Sequence, residues 1–341
     1  MKPETRFVFP VILLNLIFSC KEDDENINLG LEEQVQTIEE FLETNQIDSA
    51  TSVTRSDGAV FYYYPTNIPL DPNAETQSAG NVYSILFGVS LLDGTVINPF
   101  IETDTLIFKA GANAIFPTGL DIAIPETGMR VGDTYNIILT SPLALGEMEV
   151  EGLIPSNSVL IYQIRLTDVR TEQEIFNSEQ AAITDYIDIQ QLNDTIQNPL
   201  DPVVRFAQNG ISYKRVSRGT PNESPGAGSE VGITYDLRSL DGSLLQNVNN
   251  SNIFQFRVGS VNSEGDFTVI PGLDFAVRQM EVGERALFII PSNLAYLESA
   301  QVVPEFLKSR MAEERIIPAY SERIDPYRVL VFDMILRGIN E

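Results

Sequence analysis

Apolar residues at Leu31, Val35, Ile38, Phe41 and Leu42 recur at three- and four-residue steps, the period of one helix face. The pattern returns at Ile183, Tyr186 and Ile187, which match Ile38, Phe41 and Leu42 at one constant spacing. After each helix the period drops to two, as in half-buried strands. Thr51–Thr54 and Val60–Tyr64 flank Asp57-Gly58, and Val203–Phe206 and Ile211–Val216 flank Asn209-Gly210. Both dipeptides suit hairpin turns with positive φ. Segments rich in Pro, Asn, Gly and Ser, Pro65–Gly80 and Arg218–Ser229, read as loops. Then Tyr83–Leu92, a turn at Asp93-Gly94 and Leu106–Gly111 are matched by Ile233–Leu240, a turn at Asp241-Gly242 and Phe254–Gly259. Short helices are predicted after Gly119-Leu120 and Gly272-Leu273, and closing strands over Val159–Val169 and Arg328–Leu336. The expected class is α+β: an antiparallel sheet wrapped around one short helix, built twice, each copy with an added N-terminal helix and hairpin.

The duplication is plainest where Met129–Leu145 aligns without a gap on Met280–Tyr296. Both blocks open on Met-x-Val-Gly, and Gly132 and Gly283 fit a helix-to-strand turn. The last position differs, Leu145 against Tyr296. Residues 31–170 and 171–341 are therefore expected to be two domains of one fold, and 341 residues with 43% hydrophobic content suffice for two cores.

Charge and composition exclude much. Lys and Arg number 22 against 48 Asp and Glu, a formal charge of −26, which disfavours nucleic acid as a partner. There is no His, so imidazole ligands and His-based triads are excluded. A single Cys rules out an intramolecular disulfide. Gly226-Ala-Gly228 lacks the Lys of a phosphate loop, and no acidic spacing suits calcium, so no cofactor or metal is expected. Tyr62-Tyr63-Tyr64 offers a weak glycan-binding reading, but adjacent strand residues face opposite sides.

The Cys has a specific place. Lys2 and Arg6 precede an apolar stretch, Phe7–Phe18, and Ser19-Cys20 ends it. This resembles a bacterial lipoprotein signal: residues 1–19 would be removed, Cys20 lipidated, and residues 20–30 left as an acidic tether. A plain secretory signal with an incidental Cys is the alternative. Lys21-Glu22-Asp23-Asp24-Glu25 resembles the export tag of Bacteroidetes surface lipoproteins, although any solvated tether looks similar. The expected location is the outer membrane, on its periplasmic or outer face, held there by the lipid.

Tyr235, then Asp241-Gly242, Phe254-x-Phe256-x-x-Gly259, Val269-Ile-Pro-Gly-Leu273, Met280-x-Val-Gly-Glu-Arg285, Ala295-Tyr296, Ile316-Ile-Pro318 and Leu330-Val-Phe-Asp333 follow one another in order. Together they resemble FKBP-type peptidyl-prolyl cis-trans isomerases over roughly 230–336. The resemblance implies two FKBP-like domains and, in the second, an apolar cleft made by Tyr235, Phe254, Val269, Ile270, Tyr296, Ile317 and Phe332. Phe256 would pack beside them, and Leu273 would hold the floor position usually taken by Trp. Amide rotation is opposed by a barrier of about 18–20 kcal/mol because the planar form is resonance-stabilised. A dry pocket favours the twisted amide and needs no acid, base or nucleophile, with the Tyr296 hydroxyl implied as donor to the substrate carbonyl. Proline-containing polypeptides are then the partners. FKBP-like lipoproteins similar to this one accompany gliding and type IX secretion machinery, so an outer-membrane assembly is the partner implied for a silent binding subunit.

Two departures bear on activity. The Phe-Asp pair usual after the Asp-Gly turn is Leu245-Gln246, and the floor is Leu273. A third is an insertion of roughly eighteen residues between Leu297 and Ile316, with Val302, Val303, Phe306, Leu307 and Met311 on one apolar face and Pro304 near a helix start. Its helix is expected beside the cleft mouth, as lid, partner face or sheet packing. The first copy has Phe87, Leu106, Leu145 and Tyr162 where the second has Tyr235, Phe254, Tyr296 and Phe332, and Ile97-Asn98 for the carboxylate pair. It reads as a structural or binding domain.

Overall fold

The computed structural model describes residues 30–68, 71, 73–78, 80–101, 105–194, 202–260 and 269–340. The signal segment, Cys20 and the acidic tether lie outside them. Repeat one runs α1 (Leu31–Thr44), β1 (Thr51–Thr54), β2 (Val60–Asn67), β3 (Val82–Leu91), β4 (Val96–Asn98), β5 (Thr105–Lys109), α2 (Thr118–Glu126), β6 (Thr134–Leu139) and β7 (Leu160–Arg170). Repeat two follows with α3 (Glu172–Ile189), β8 (Val204–Arg205), β9 (Ser212–Ser217), β10 (Glu230–Arg238), β11 (Leu244–Val248), β12 (Phe254–Arg257), α4 (Pro271–Val277), β13 (Arg285–Ile290), α5 (Glu305–Glu313) and β14 (Leu330–Asn340).

The two sheets share one topology. The first is ordered β1-β2-β6-β7-β3-β4 with β5 also on β3, and the second repeats it as β8-β9-β13-β14-β10-β11 with β12 on β10. All these strand pairs are antiparallel. Each sheet is covered on both faces. The apolar stripe of α1 puts Ile38 on the outer face of sheet one against Val60, Tyr62, Tyr64 and Ile138, while α3 puts Ile183 and Ile187 against Ile289, Val329 and Val331. The Tyr run is thereby explained as packing: Tyr62 and Tyr64 lie under α1, and Tyr63 turns to the inner core.

The inner faces close on the short helices. Glycine begins each contact because a Cβ on Gly119 would stand 2.2 Å from the Leu143 carbonyl, and one on Gly272 would stand 2.3 Å from Ile290 Cγ2. An Asp on each helix then ties down the preceding strand end. Asp121 accepts from the amides of Gly111 and Asn113, both at 2.8 Å, and Asp274 accepts from Gly259 at 2.6 Å. Gly132 and Gly283, at φ 96° and 83°, make the turn out of each helix.

The insertion of repeat two leaves after Tyr296 and returns at Tyr327. Its neck closes through the Tyr327 amide donating to the Leu297 carbonyl at 3.3 Å. Both residues are left-handed, φ 46° and 54°, a conformation that costs a non-glycine residue about 1–3 kcal/mol. The excursion crosses to repeat one. Val302 forms a parallel bridge with Ile115, and Val302, Val303, Leu307, Met311 and Ile317 join the core that contains Phe87, Leu120, Leu145 and Tyr162. Burying side chains of this size is worth about 1.5–3 kcal/mol each. Among the described residues no helix is long and apolar enough to cross a membrane.

Candidate functional site

The inner face of sheet two, the start of α4 and the end of the insertion enclose a cleft of about 370 Å³. Tyr235 enters from β10, Phe254 from β12 and Phe332 from β14. Val269, Ile270 and Leu273 come from the segment that opens α4, where Pro271 suits the first helical turn. Tyr296 follows the short 3-10 turn Ser292–Leu294. Seven of the eight residues expected from the sequence therefore line one cavity.

Ile317 does not. It is 3% exposed and belongs to the core of repeat one, and Ile324 stands in the cleft instead. The misassignment has a local cause: the insertion carries two Ile-x-Pro strings, Ile316-Ile-Pro318 and Ile324-Asp-Pro326, and the first of them packs on repeat one. The insertion was also expected to stand beside this cleft as a helix. Instead α5 packs on repeat one, and only the later segment Ala319–Ile324 reaches the cleft.

The cleft wall is an aromatic cluster. The Tyr235 ring meets Phe332 at 5.2 Å and Phe254 at 6.3 Å, both edge to face, and Phe254 lies 5.6 Å from Phe256. Such pairs add about 0.5–1.5 kcal/mol beyond burial and hold the rings in place. The Tyr235 hydroxyl donates to Gln246 Oε1 at 3.1 Å, so a neutral amide occupies the position where the resemblance implied a carboxylate. Tyr296 stacks on Tyr320, centroids 4.2 Å apart. The sequence did not point to Tyr320, since nothing in a loop pattern shows which ring it will cover.

Burial pushes the Tyr235 hydroxyl up to about 12. The Tyr296 hydroxyl is raised further, first by burial and then by the neighbouring Tyr235 and Tyr320. Both are therefore neutral donors at physiological pH. The rim carries Glu322 and Arg323, with Glu322 accepting from Ser309 Oγ at 3.0 Å. The arrangement offers an apolar floor, fixed rings and hydroxyl donors. Among the described residues no cluster of acidic or Cys side chains could hold a metal ion.

The equivalent cleft of repeat one is entered and lined by the chain's own insertion. Val302 donates to the Ala114 carbonyl at 2.7 Å and accepts from the Phe116 amide at 2.8 Å, beside Pro117, the counterpart of Ile270. Gln301 Nε2 adds a bond to the Asn113 carbonyl at 2.9 Å. Val302, Val303 and Pro304 share a cavity of about 560 Å³ with Phe87 and Leu106, the counterparts of Tyr235 and Phe254.

The sequence profile of the FKBP-type peptidyl-prolyl cis-trans isomerases matches residues 74–167 and 221–336, one stretch per repeat. The chain belongs to the FKBP-type peptidyl-prolyl cis-trans isomerase family. It is similar to peptidyl-prolyl cis-trans isomerase FKBP10 of Bos taurus, 27% identical over 230 residues, 66% of this chain and 32% of that protein. This chain thus spans about a third of the length of such curated relatives. Among solved structures, the three FKBP domains of wheat FKBP73 match at 18% identity over 82% of this chain and 94% of theirs, TM-score 0.29. FkpA from Escherichia coli matches at 22% identity over 50% of this chain and 68% of its own, TM-score 0.30. In the first repeat Val302 and Val303 of the insertion stand among the counterparts of the residues that line the cleft of the second.

Proposed function

We propose that this chain is a lipid-anchored peptidyl-prolyl cis-trans isomerase of the cell envelope that acts on proline-containing polypeptides through its second FKBP domain. The observation that carries the reading is the cleft in which Tyr235, Phe254, Val269, Ile270, Leu273, Tyr296 and Phe332 converge. A proline ring entering it loses water on all sides against Leu273 and the aromatic wall. The planar amide is the more polar form, so desolvation weighs against it more than against the twisted form. A hydroxyl donor held at the cleft edge by stacking, as Tyr296 is by Tyr320, then meets the carbonyl without reorganising. Uncatalysed prolyl isomerisation takes tens of seconds or longer, which gives exported chains a reason to need it. The lipid anchor and the outer-membrane location rest on Phe7–Phe18, Cys20 and the acidic run after it.

The test is isomerisation of a proline-containing tetrapeptide by the intact chain. Activity above background is expected, lower in Tyr296→Phe by about two- to tenfold, the worth of one neutral hydrogen bond, and lower still in Tyr235→Ala. No rate above background from well-folded protein would sink the reading.

A second reading is favoured by Gln246 and Leu273, which remove the cleft carboxylate and the indole floor. In it the domain binds prolyl segments without turning them over and serves as accessory subunit of an outer-membrane assembly such as the gliding or type IX secretion machinery. Peptide binding without turnover, together with a stoichiometric partner recovered from solubilised envelope, would select it.

A further inference from the structure

The insertion touches both FKBP domains, and its two halves are bonded to each other. The first half lies in the cleft of repeat one, where Val302, Val303, Leu307 and Met311 are at most 5% exposed. The second half, Ala319–Ile324, forms one wall of the cleft in repeat two. Between them the Gln301 amide donates to Ser321 Oγ at 3.1 Å, Ser309 Oγ donates to Glu322 Oε1 at 3.0 Å, and Lys308 Nζ lies 3.1 Å from Asp325 Oδ1. Ser321 is fully buried.

We propose that repeat one is the receptor for this insertion, an extended Val-Val-Pro segment followed by an apolar helix face, and that docking it there positions the Tyr320–Ile324 wall of the second cleft. Repeat one is on this view a positioning domain for a site in repeat two, which rests on reading that site as a prolyl cleft. The wall is a single 3-10 turn, Ala319–Glu322, and a turn so short has little stability of its own. Its place is set by what it is bonded to. On the side of repeat two it has the Tyr296 stack and Ile324 in the core, and within the insertion the Tyr320 hydroxyl donates to the Ser299 carbonyl. On the other side it is tied to the docked half through Ser321, Glu322 and the Lys308–Asp325 pair. Anchors in two domains leave the turn no room to swing while the dock holds.

Repeat one supplies the right chemistry for such a receptor. The Ala114 carbonyl and the Phe116 amide pair with an incoming extended backbone, as an exposed strand edge does with an added peptide. Leu145 presents an aliphatic surface where repeat two has a hydroxyl, and it shares one core with Val302 and Val303. Pro304 is buried and ends the extended segment, after which α5 begins at Glu305.

The test uses the full chain carrying Val302→Asp, with Val302→Ile as the conservative control. Two readouts are taken: hydrogen exchange of peptides covering 319–324, and turnover of a proline-containing tetrapeptide. For Val302→Asp the expected result is exchange at 319–324 at least tenfold faster and kcat/KM at least threefold lower, chiefly through KM, while Val302→Ile matches the parent. Release of 301–312 with unchanged exchange at 319–324 overturns the proposal. If Val302→Asp unfolds repeat one, seen as fast exchange of β7, the decision passes to a Cys20→Ser chain carrying Ile115→Cys and Val302→Cys. These bridged positions suit a disulfide that fixes the dock. Slower exchange at 319–324 in its oxidised than in its reduced form is expected, and equal exchange in both forms overturns the proposal. A parent chain with no turnover, combined with faster 319–324 exchange in Val302→Asp, sinks the isomerase reading and leaves the docking intact.

Discussion

The ring of Tyr320 covers the ring of Tyr296, with centroids 4.2 Å apart and planes 28° from parallel. One ring belongs to the block shared by both repeats, the other to an insertion that repeat one lacks. The stack excludes water from one side of the Tyr296 hydroxyl, in line with its raised pKa. Replacing Tyr320 with Ala should therefore lower peptide turnover several-fold while leaving the fold intact, since one aromatic stack contributes about 0.5–1.5 kcal/mol. The check is kcat/KM on a proline tetrapeptide beside a urea denaturation curve. Equal turnover in both proteins would show that the stack is packing alone.

Leu273 forms the cleft floor in a chain that contains no Trp. Leu273→Trp should place an indole under the cleft of about 370 Å³ and give a single fluorescent reporter. A saturable change in its emission on adding a prolyl peptide is expected, with turnover equal to or above the parent. Should the ring be forced into the core instead, overpacking would cost about 1–3 kcal/mol and the emission would ignore the peptide.

Glu179 and Gln34 hold the same place on α3 and α1, each accepting from the amide of a buried serine, Ser292 at 3.0 Å and Ser141 at 2.8 Å. Burial raises the Glu179 carboxyl above its ordinary value, and its Oε1 has no partner. Because the folded-state pKa is the higher one, the native state binds the proton more tightly than the unfolded state. Glu179 is thus neutral and harmless at pH below the unfolded value and weakens the fold as pH rises through the folded one. Glu179→Gln should raise stability near pH 7 by about 1–3 kcal/mol, the cost of an unsatisfied buried group. The gain should vanish toward pH 4, where the carboxyl is protonated in both states. Denaturation midpoints of parent and variant across pH 4–8 measure it, and a gain independent of pH would refute burial of the charged carboxylate as its cause.

Gly272 allows α4 to rest against the end of β13 and the turn after it, where an added Cβ would meet Ile290 Cγ2 at 2.3 Å and the Leu294 carbonyl at 2.9 Å. Gly272→Ala should destabilise repeat two by about 1–3 kcal/mol and shift Leu273 within the cleft. Urea unfolding that separates the two repeats, with the loss confined to the second, is the expected outcome.

The duplicated sheets were legible because local signals agreed: Asp57-Gly58 and Asn209-Gly210 mark hairpins, and the helix face of Ile38 recurs at Ile183. The cleft was legible because its residues sit on those strands or at the ends of the short helices beside them, in a fixed order. Ile317 was not, because an apolar residue in an insertion reports that it will be buried and says nothing about which core receives it. Tyr320 and Ile324 escaped for the same reason. Their place depends on where the excursion returns, set by the Leu297–Tyr327 neck and by contacts with a domain more than a hundred residues away in sequence.

Leu145 shares a core with Val302 and Val303. A tyrosine placed at 145 would put a hydroxyl against aliphatic neighbours, at a cost of about 1–3 kcal/mol if it is left unsatisfied. The first cleft works as a joint between the repeats. Duplicated domains need not depend on each other, whereas in this chain the copy with Leu145 shares a core with the arm of the copy with Tyr296. Either half taken alone would lose that shared core, so the fold of each copy is bound up with the other.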